Sequence, residues 1–285
     1  MKIKNKLNGC IVSIITPMKK NKNIDFNEFK KLLNKLLNKV DGFVICGTTG
    51  ESTSINTKEK IKLAKISRKI IKNGKPLIFG NSEIDTYKAI KLNLKLKKIG
   101  IDVILQNVPY YVCKNSKNIL AHFKEINKYN IPIILYNVPS RTGVDISLKT
   151  IIKISKFKNI IAIKESSYNI IKILEIKYNT NLKCFSGDDI TSPLSFFLGA
   201  DGIISVTANI FPEIISKSFK EAKINKEIYN FNKMLFIESN PCPIKYIMKK
   251  KKIIKSCTTR LPLINISKNN KKKIIKAYNN VKKNI

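Results

Sequence analysis

Histidine is almost missing from this chain: His122 is the only one in 285 residues. It falls in a helical pattern, where it reads as a surface or packing residue, which argues against histidine-based acid–base chemistry. Arginine is nearly as scarce, with only Arg68, Arg141 and Arg260. The six cysteines form no Cys-x-x-Cys and have no histidine beside them. Cys10, Cys46, Cys113, Cys184, Cys242 and Cys257 therefore read as reduced thiols of a cytoplasmic protein. They suggest neither a disulfide framework nor a zinc site, and no metal is expected. No Gly-x-Gly-x-x-Gly follows the first apolar segment, which counts against a dinucleotide-binding open sheet. Long apolar runs are absent as well. Ile131 to Tyr136 is far too short to span a bilayer. Near the N-terminus, Lys2, Lys4 and Lys6 are followed by Asn8, Gly9 and Cys10 before any signal-like apolar stretch develops.

What is present in excess is lysine. Lys and Arg number 55 against 19 Asp and Glu, a formal charge of +36. A nucleic-acid-binding protein would cluster such charge and interleave it with exposed aromatics. Here the lysines are spread along the whole chain in company with Asn and Ile. Those three residues have A/T-rich codons whereas arginine codons are mostly G/C-rich, so base-composition drift explains the excess better than phosphate binding. The run Lys249-Lys250-Lys251-Lys252 reads as a solvated helix end. The net charge would still draw small anions over a screened distance.

Short apolar runs alternate with longer amphipathic stretches. Strands are predicted at 10–15, 42–46, 76–79, 102–106, 132–136, 160–164, 182–186 and 202–205. Helices are predicted at 26–38, 58–72, 87–98, 117–129, 148–155, 170–178, 193–198 and 212–222. Eight strands, each followed by a helix, are the repeat of a (β/α)8 TIM barrel of about 250 residues. The helical periodicity at 227–236, 243–250 and 266–283 predicts a small C-terminal helical appendage. The expected division is a barrel over 1–224 and a helical domain over 225–285.

One strand ends on a lysine. Ile160-Ile161-Ala162-Ile163-Lys164-Glu165 is a near-continuous aliphatic run of the kind buried on both faces. Burial at such a strand end favours the free, nucleophilic amine that a Schiff base with a carbonyl substrate requires. Taken alone, in a chain this rich in lysine, Lys164 would read first as a cap on the strand that reaches water. In a barrel, however, the active site is built from the C-terminal ends of the strands, and the polar motifs gather at those ends. They are Gly47-Thr48-Thr49-Gly50-Glu51-Ser52, Val108-Pro109-Tyr110-Tyr111, Tyr136-Asn137-Val138-Pro139-Ser140-Arg141-Thr142-Gly143, Ser186-Gly187-Asp188-Asp189 and Ser205-Val206-Thr207-Ala208-Asn209. Gly47 and Gly50 are expected to allow a tight turn. Asp188 and Asp189 read as helix N-caps. Arg68 reads as a surface residue, and Arg260 as a structural one.

These motifs, in this order and spacing from about Gly9 to about Pro262, resemble the dihydrodipicolinate synthase (4-hydroxy-tetrahydrodipicolinate synthase) family. That family lies within the N-acetylneuraminate lyase superfamily of class I aldolases. The resemblance implies a lyase of diaminopimelate and lysine biosynthesis that condenses pyruvate with L-aspartate 4-semialdehyde. Lys164 would form the imine with pyruvate, and Tyr136 would shuttle protons, relayed by Thr49 and by Tyr111 reaching across a dimer interface. Thr48 and Thr49 would hold the pyruvate carboxylate. Arg141 would grip a carboxylate of the second substrate through paired bonds that lysine cannot make. Gly187 would let the backbone approach substrate, and Ile204 would line the pocket. The imine is itself the electron sink, so no cofactor is implied. The implied partners are those two substrates and a homo-oligomer, a dimer or a homotetramer built as a dimer of dimers, with no nucleic acid and no membrane.

The sequence departs from the family pattern where many members bind inhibitory lysine. Ser52 and Tyr110 fit that pattern. Thr57 and Lys60 stand where regulated relatives often carry histidines, Ile84 replaces an amide, and Lys88 replaces an acid. An ammonium at 88 repels a lysine ligand, with Glu83 as a partial compensation, so weak or absent inhibition is expected. Ser239 replaces a proline, which predicts only a less rigid turn. Two other readings compete: another pyruvate-dependent aldolase, of the N-acetylneuraminate lyase or keto-deoxy sugar acid type, and a basic nucleic-acid-binding protein. The Thr48-Thr49 pair and Arg141 favour the semialdehyde substrate over the first. The placement of the aromatics in strand-end motifs disfavours the second.

Overall fold

A computed structural model describes residues 2–72, 74–112 and 115–284; Cys113 lies outside them. Eight strands form a closed barrel in chain order: β1 (Gly9–Ser13), β2 (Gly42–Ile45), β3 (Leu77–Asn81), β4 (Val103–Asn107), β5 (Ile133–Asn137), β6 (Ile160–Glu165), β7 (Lys183–Ser186) and β8 (Gly202–Ser205). Every pairing is parallel, including β8 with β1. Each predicted strand is present, with boundaries shifted by at most two residues. The fold is the (β/α)8 barrel expected from the alternation of apolar runs and amphipathic stretches.

Side chains alternate along each strand, which divides the core in two. Inward residues such as Ile11, Val44, Ile78, Ile134, Ala162 and Phe185 fill the barrel lumen. Outward ones such as Val12, Phe43, Phe79, Ile133 and Ile163 pack against the surrounding helices. A short helix, Lys2–Lys6, is an element the sequence patterns did not suggest. It leads to Leu7, which is fully buried in the lumen cluster and closes it from the N-terminal side. Gly202 lets β8 press on β1, since a Cβ there would sit 2.4 Å from the Gly9 carbonyl oxygen.

Beyond the eighth repeat come helices Lys226–Leu235, Cys242–Lys250 and Lys268–Lys283. The second ends at the run Lys249–Lys252, which is largely solvated as expected. Phe231 of the first meets Phe211 edge to face at 5.4 Å, and Tyr278 of the third stacks on Phe211. Among the described residues, no helix is long and apolar enough to cross a membrane. His122 is a packing residue, 3 % exposed, with Nδ1 2.9 Å from the Thr86 hydroxyl. Burial pushes its pKa down to about 4.

Candidate active site

The site begins with a register. In the β5–β6 pair Tyr136 stands beside Lys164 and Asn137 beside Glu165. Alternation then turns the first pair into the lumen and the second outward. Lys164 is 6 % exposed, and its Nζ lies 4.5 Å from the centre of the Tyr136 ring. On the outer face the Asn137 side-chain amide donates to both Glu165 carboxylate oxygens, at 3.0 and 2.9 Å, and to Asp145 at 2.8 Å. Its carbonyl accepts from the Ile146 amide at 3.1 Å. This outer clamp joins the ends of both strands to the far side of the loop that carries Arg141.

The pairing of the lysines sets Lys164 apart. Among the described residues four lysines are buried: Lys60, Lys164, Lys172 and Lys245. Three have a carboxylate partner, Lys60 with Glu83 at 3.2 Å, Lys172 with Asp145, and Lys245 with Glu51 at 2.6 Å. That is what burial of a charge requires of a structural residue. Lys164 has no carboxylate partner among the described residues.

Lys164 opens into a cavity of about 340 Å³ at the C-terminal rim of the barrel. Thr48, Thr49, Tyr136, Arg141 and Gly187 share its wall, joined by Ser166, Tyr168, Asp188, Glu238 and Asn240. A second cavity of about 230 Å³, reaching Ser52, Ser82 and Tyr110, lies on the far side of Thr48, Tyr136 and Arg141. Burial alone would push the Tyr136 phenol up, but Lys164, a hydrogen bond with Thr48 and the Arg141 charge outweigh it and hold its pKa below the usual tyrosine value. The structure thus brings together Lys164, Tyr136, Thr48, Thr49, Arg141 and Gly187. Two of the expected residues lie apart. Tyr111 is 83 % exposed and lines neither cavity. Ile204 is buried in the lumen cluster beneath the site, and Val206 takes the wall position.

The turn after β2 is tight, the Gly50 amide donating to the Gly47 carbonyl at 3.0 Å, and its left-handed backbone falls on Cys46 (φ 52°) and Glu51 (φ 60°), on either side of the glycines. The glycines instead allow close contact. A Cβ on Gly50 would meet the Cys46 backbone at 3.1 Å, and one on Gly47 would meet Val44 at 3.2 Å. The Thr49 hydroxyl accepts a hydrogen bond from the Asn240 side chain at 3.0 Å, so the hydroxyl bonded to the phenol is that of Thr48. Left-handed backbone at non-glycine residues is uncommon and tends to mark functional sites.

Gly187 has a steric reason as well. A Cβ there would fall 1.8 Å from Ser166 Oγ and 2.6 Å from Lys164 Cε. The two aspartates that follow are only partly the caps expected. Asp188 accepts from the Ile190 and Thr191 amides and the Thr191 hydroxyl, fixing the turn before helix Ser192–Phe197. Asp189 reaches the loop after β8 instead, accepting from the Ser205 hydroxyl and from the amides of Val206 and Thr207. Burial raises its pKa to about 6 despite those bonds. Arg68 is only 16 % exposed in its side chain and pairs with Asp102 at 2.8 Å, which makes it a strut rather than a surface residue. Arg260 forks onto both Glu59 oxygens at 2.7 and 2.6 Å and is structural.

Sequence reasoning passed over Ser166, Tyr168 and Asn240, because a polar residue just past a strand end, or in the loop between two helices, carries no distinctive signal. Tyr168 is the least expected of them. It is 57 % exposed at the cavity rim with φ 64°, a genuine outlier for a bulky side chain. Left-handed backbone costs an L-residue about 1–2 kcal/mol, while glycine's extra unfolded-state entropy costs about 0.4–1 kcal/mol. Tyr168→Gly is therefore expected to stabilise the fold by up to about 1 kcal/mol, read as a raised denaturation midpoint; a lowered midpoint would contradict the strain.

The chain is similar to known proteins over nearly its whole length. The dihydrodipicolinate synthetase family profile matches residues 6–281. A 4-hydroxy-tetrahydrodipicolinate synthase of Buchnera aphidicola subsp. Schizaphis graminum is 39% identical over 290 residues, covering 96% of this chain and 99% of that one. That of Buchnera aphidicola subsp. Baizongia pistaciae is 40% identical, covering 94% and 95%. Among solved structures, the chloride-inhibited dihydrodipicolinate synthase of Acinetobacter baumannii, complexed with pyruvate, superposes with a TM-score of 0.92. It is 32% identical, with 97% of this chain and 99% of that one covered.

Proposed function

The chain belongs to the dihydrodipicolinate synthetase family, and on that premise we propose a mechanism in which Lys164 is the Schiff-base nucleophile of a 4-hydroxy-tetrahydrodipicolinate synthase. The activity is that of a lyase of diaminopimelate and lysine biosynthesis, condensing pyruvate with L-aspartate 4-semialdehyde. The observation that carries the role of Lys164 is its place as the one buried lysine without a carboxylate partner among the described residues, 4.5 Å from the Tyr136 ring at the cavity floor.

The Lys164 amine adds to the keto carbon of pyruvate and water leaves, giving an imine; loss of a methyl proton gives the enamine. Tyr136 moves these protons, since its phenol lies against the amine and its pKa is held below the ordinary value. Thr48 connects the phenol to the turn, and Thr49, oriented by Asn240, stands behind it. The same turn holds the pyruvate carboxylate. Arg141, exposed and without a carboxylate partner among the described residues, takes the carboxylate of the semialdehyde. The enamine carbon bonds to the aldehyde carbon. The substrate's own amine then attacks the imine carbon, closing the ring and releasing Lys164.

Tyr111 completes the relay of a second copy in a homo-oligomer. It stands 83 % exposed beside Val112 (66 %), with Tyr87 (70 %) also exposed, an apolar surface of the kind that marks an interface. The test is turnover. Pyruvate should be consumed with L-aspartate 4-semialdehyde and not with N-acetylmannosamine or a sugar aldehyde; the reverse preference would move the protein to another branch of the aldolases.

Lysine regulation is absent in this reading. The one acid expected to compensate for Lys88 is Glu83, and its carboxylate is taken by Lys60, itself 4 % exposed. An incoming ammonium therefore finds its counter-charge occupied by an internal one. Lysine at millimolar concentration is expected to leave the rate unchanged, and half-inhibition below that concentration would refute this.

A further inference from the structure

One polar group at the cavity has no place in the mechanism above. Ser166 follows Lys164 by two residues, so period-two alternation sends its side chain to the same inward face. The segment is held rigid: the Ser166 amide donates to the Asn137 carbonyl at 2.9 Å and the Gly187 amide to the Glu165 carbonyl at 2.8 Å, which extend the β5–β6 and β6–β7 ladders. Ser166 is 8 % exposed, it lines the Lys164 cavity, and its Oγ is buried without a hydrogen-bond partner among the described residues. Gly187 leaves room for it, because both Ser166 Oγ and Lys164 Cε lie within 2.6 Å of the point a Cβ would occupy. A buried hydroxyl without a partner costs stability, and such a group beside the nucleophile is explained if its partner arrives with substrate.

We propose that Ser166 is a further catalytic residue, donating a hydrogen bond to the aldehyde oxygen of the second substrate as the carbon–carbon bond forms. This deepens the function proposed above and rests on it. The turn that holds the pyruvate carboxylate follows β2, four strands around the ring from β6. An imine on Lys164 with its carboxylate turned to Thr48 and Thr49 leaves its methyl-derived carbon turned away from that turn, on the side of the cavity where Ser166 and Gly187 stand. As the enamine adds, the nitrogen lone pair becomes the C=N π bond and the enamine C=C pair forms the new C–C bond. The aldehyde π pair moves to its oxygen, which takes the proton of the Tyr136 phenol. Ser166 keeps its own proton and stabilises the negative charge that develops on that oxygen. The aldehyde is thereby oriented with its carbon towards the enamine and its carboxylate towards Arg141.

The test is Ser166→Ala, measured against wild type in three ways. Borohydride trapping of the pyruvate imine should proceed at the wild-type rate. Turnover with L-aspartate 4-semialdehyde should fall by about 10- to 100-fold, below the roughly 10²–10³ of a strong oxyanion donor, with KM for pyruvate unchanged. The thermal midpoint should be equal or higher, because an unpartnered hydroxyl has been removed. A variant that turns over like wild type overturns the proposal. Equal losses in trapping and turnover overturn it too, since the hydroxyl would then serve pyruvate; a lowered midpoint would assign it a structural role instead. Wild type that fails to trap pyruvate removes the Schiff-base reading itself, a result distinct from any defect of the variant.

Discussion

Lys245→Met is expected to lower the unfolding free energy by about 3–5 kcal/mol, the usual cost of stripping one partner from a buried ion pair. Lys245 and Glu51 are both fully buried in their side chains and 2.6 Å apart. The other two ammonium protons of Lys245 go to the carbonyls of Thr16 at 3.0 Å and Thr258 at 2.6 Å, so all three donors are used. Burial holds the Lys245 pKa below the usual lysine value, and Glu51 offsets only part of that shift. Among the described residues, the remaining Glu51 oxygen accepts only from the Arg260 amide, at 3.2 Å. Methionine preserves the volume, so the loss reports the abandoned carboxylate rather than a cavity. At roughly 2–4 °C per kcal/mol for a domain of this class, the thermal midpoint should fall by roughly 6–20 °C. Adding Glu51→Gln removes the stranded charge and is expected to restore at least half of the loss. A single-variant loss under about 1 kcal/mol would contradict the account. The pair matters for function because Glu51 closes the turn that carries Thr48 and Thr49, while Lys245 comes from the C-terminal helix Cys242–Lys250.

Lys164→Met should do the opposite. It removes the proposed nucleophile, and turnover is expected to drop at least about 10⁴-fold, by analogy with deletion of other covalent nucleophiles. The fold should hardly notice, because Lys164 leaves no carboxylate behind. The same substitution at two buried lysines thus separates stability from catalysis. The measurements are steady-state rates and urea midpoints on both variants. A Lys164→Met protein that loses stability as Lys245→Met does would mean that the amine is held for structure.

The contrast also shows where the sequence was readable. The barrel and the strand end at Lys164 followed from the alternation of apolar runs, and the Tyr136–Lys164 pairing is what eight consecutive parallel strands make possible. The partner of Lys245 was not readable. Glu51 lies 194 positions away, and in a chain with 55 basic residues one more lysine draws no notice. Ser166 was invisible for a related reason: its significance is a missing hydrogen bond, which only three-dimensional neighbours can reveal. Backbone conformation was only partly readable. The glycines at 47 and 50 signalled the tight turn, but nothing signalled that Cys46 and Glu51 would carry its left-handed backbone, and Tyr168 gave no hint of the φ of 64° that it adopts. The loop after β8 hid the role of Asp189 because its partners come from another strand.

The central claim is that Lys164 forms an imine with pyruvate. The most direct measurement is mass spectrometry of the intact wild-type protein, and of its proteolytic peptides, after borohydride reduction in the presence of pyruvate. The account predicts one reduced pyruvate-derived group per chain, carried by the peptide that contains Lys164 and absent from Lys164→Met. A folded wild-type protein that gains no such group, or gains it on scattered surface lysines instead, would contradict it.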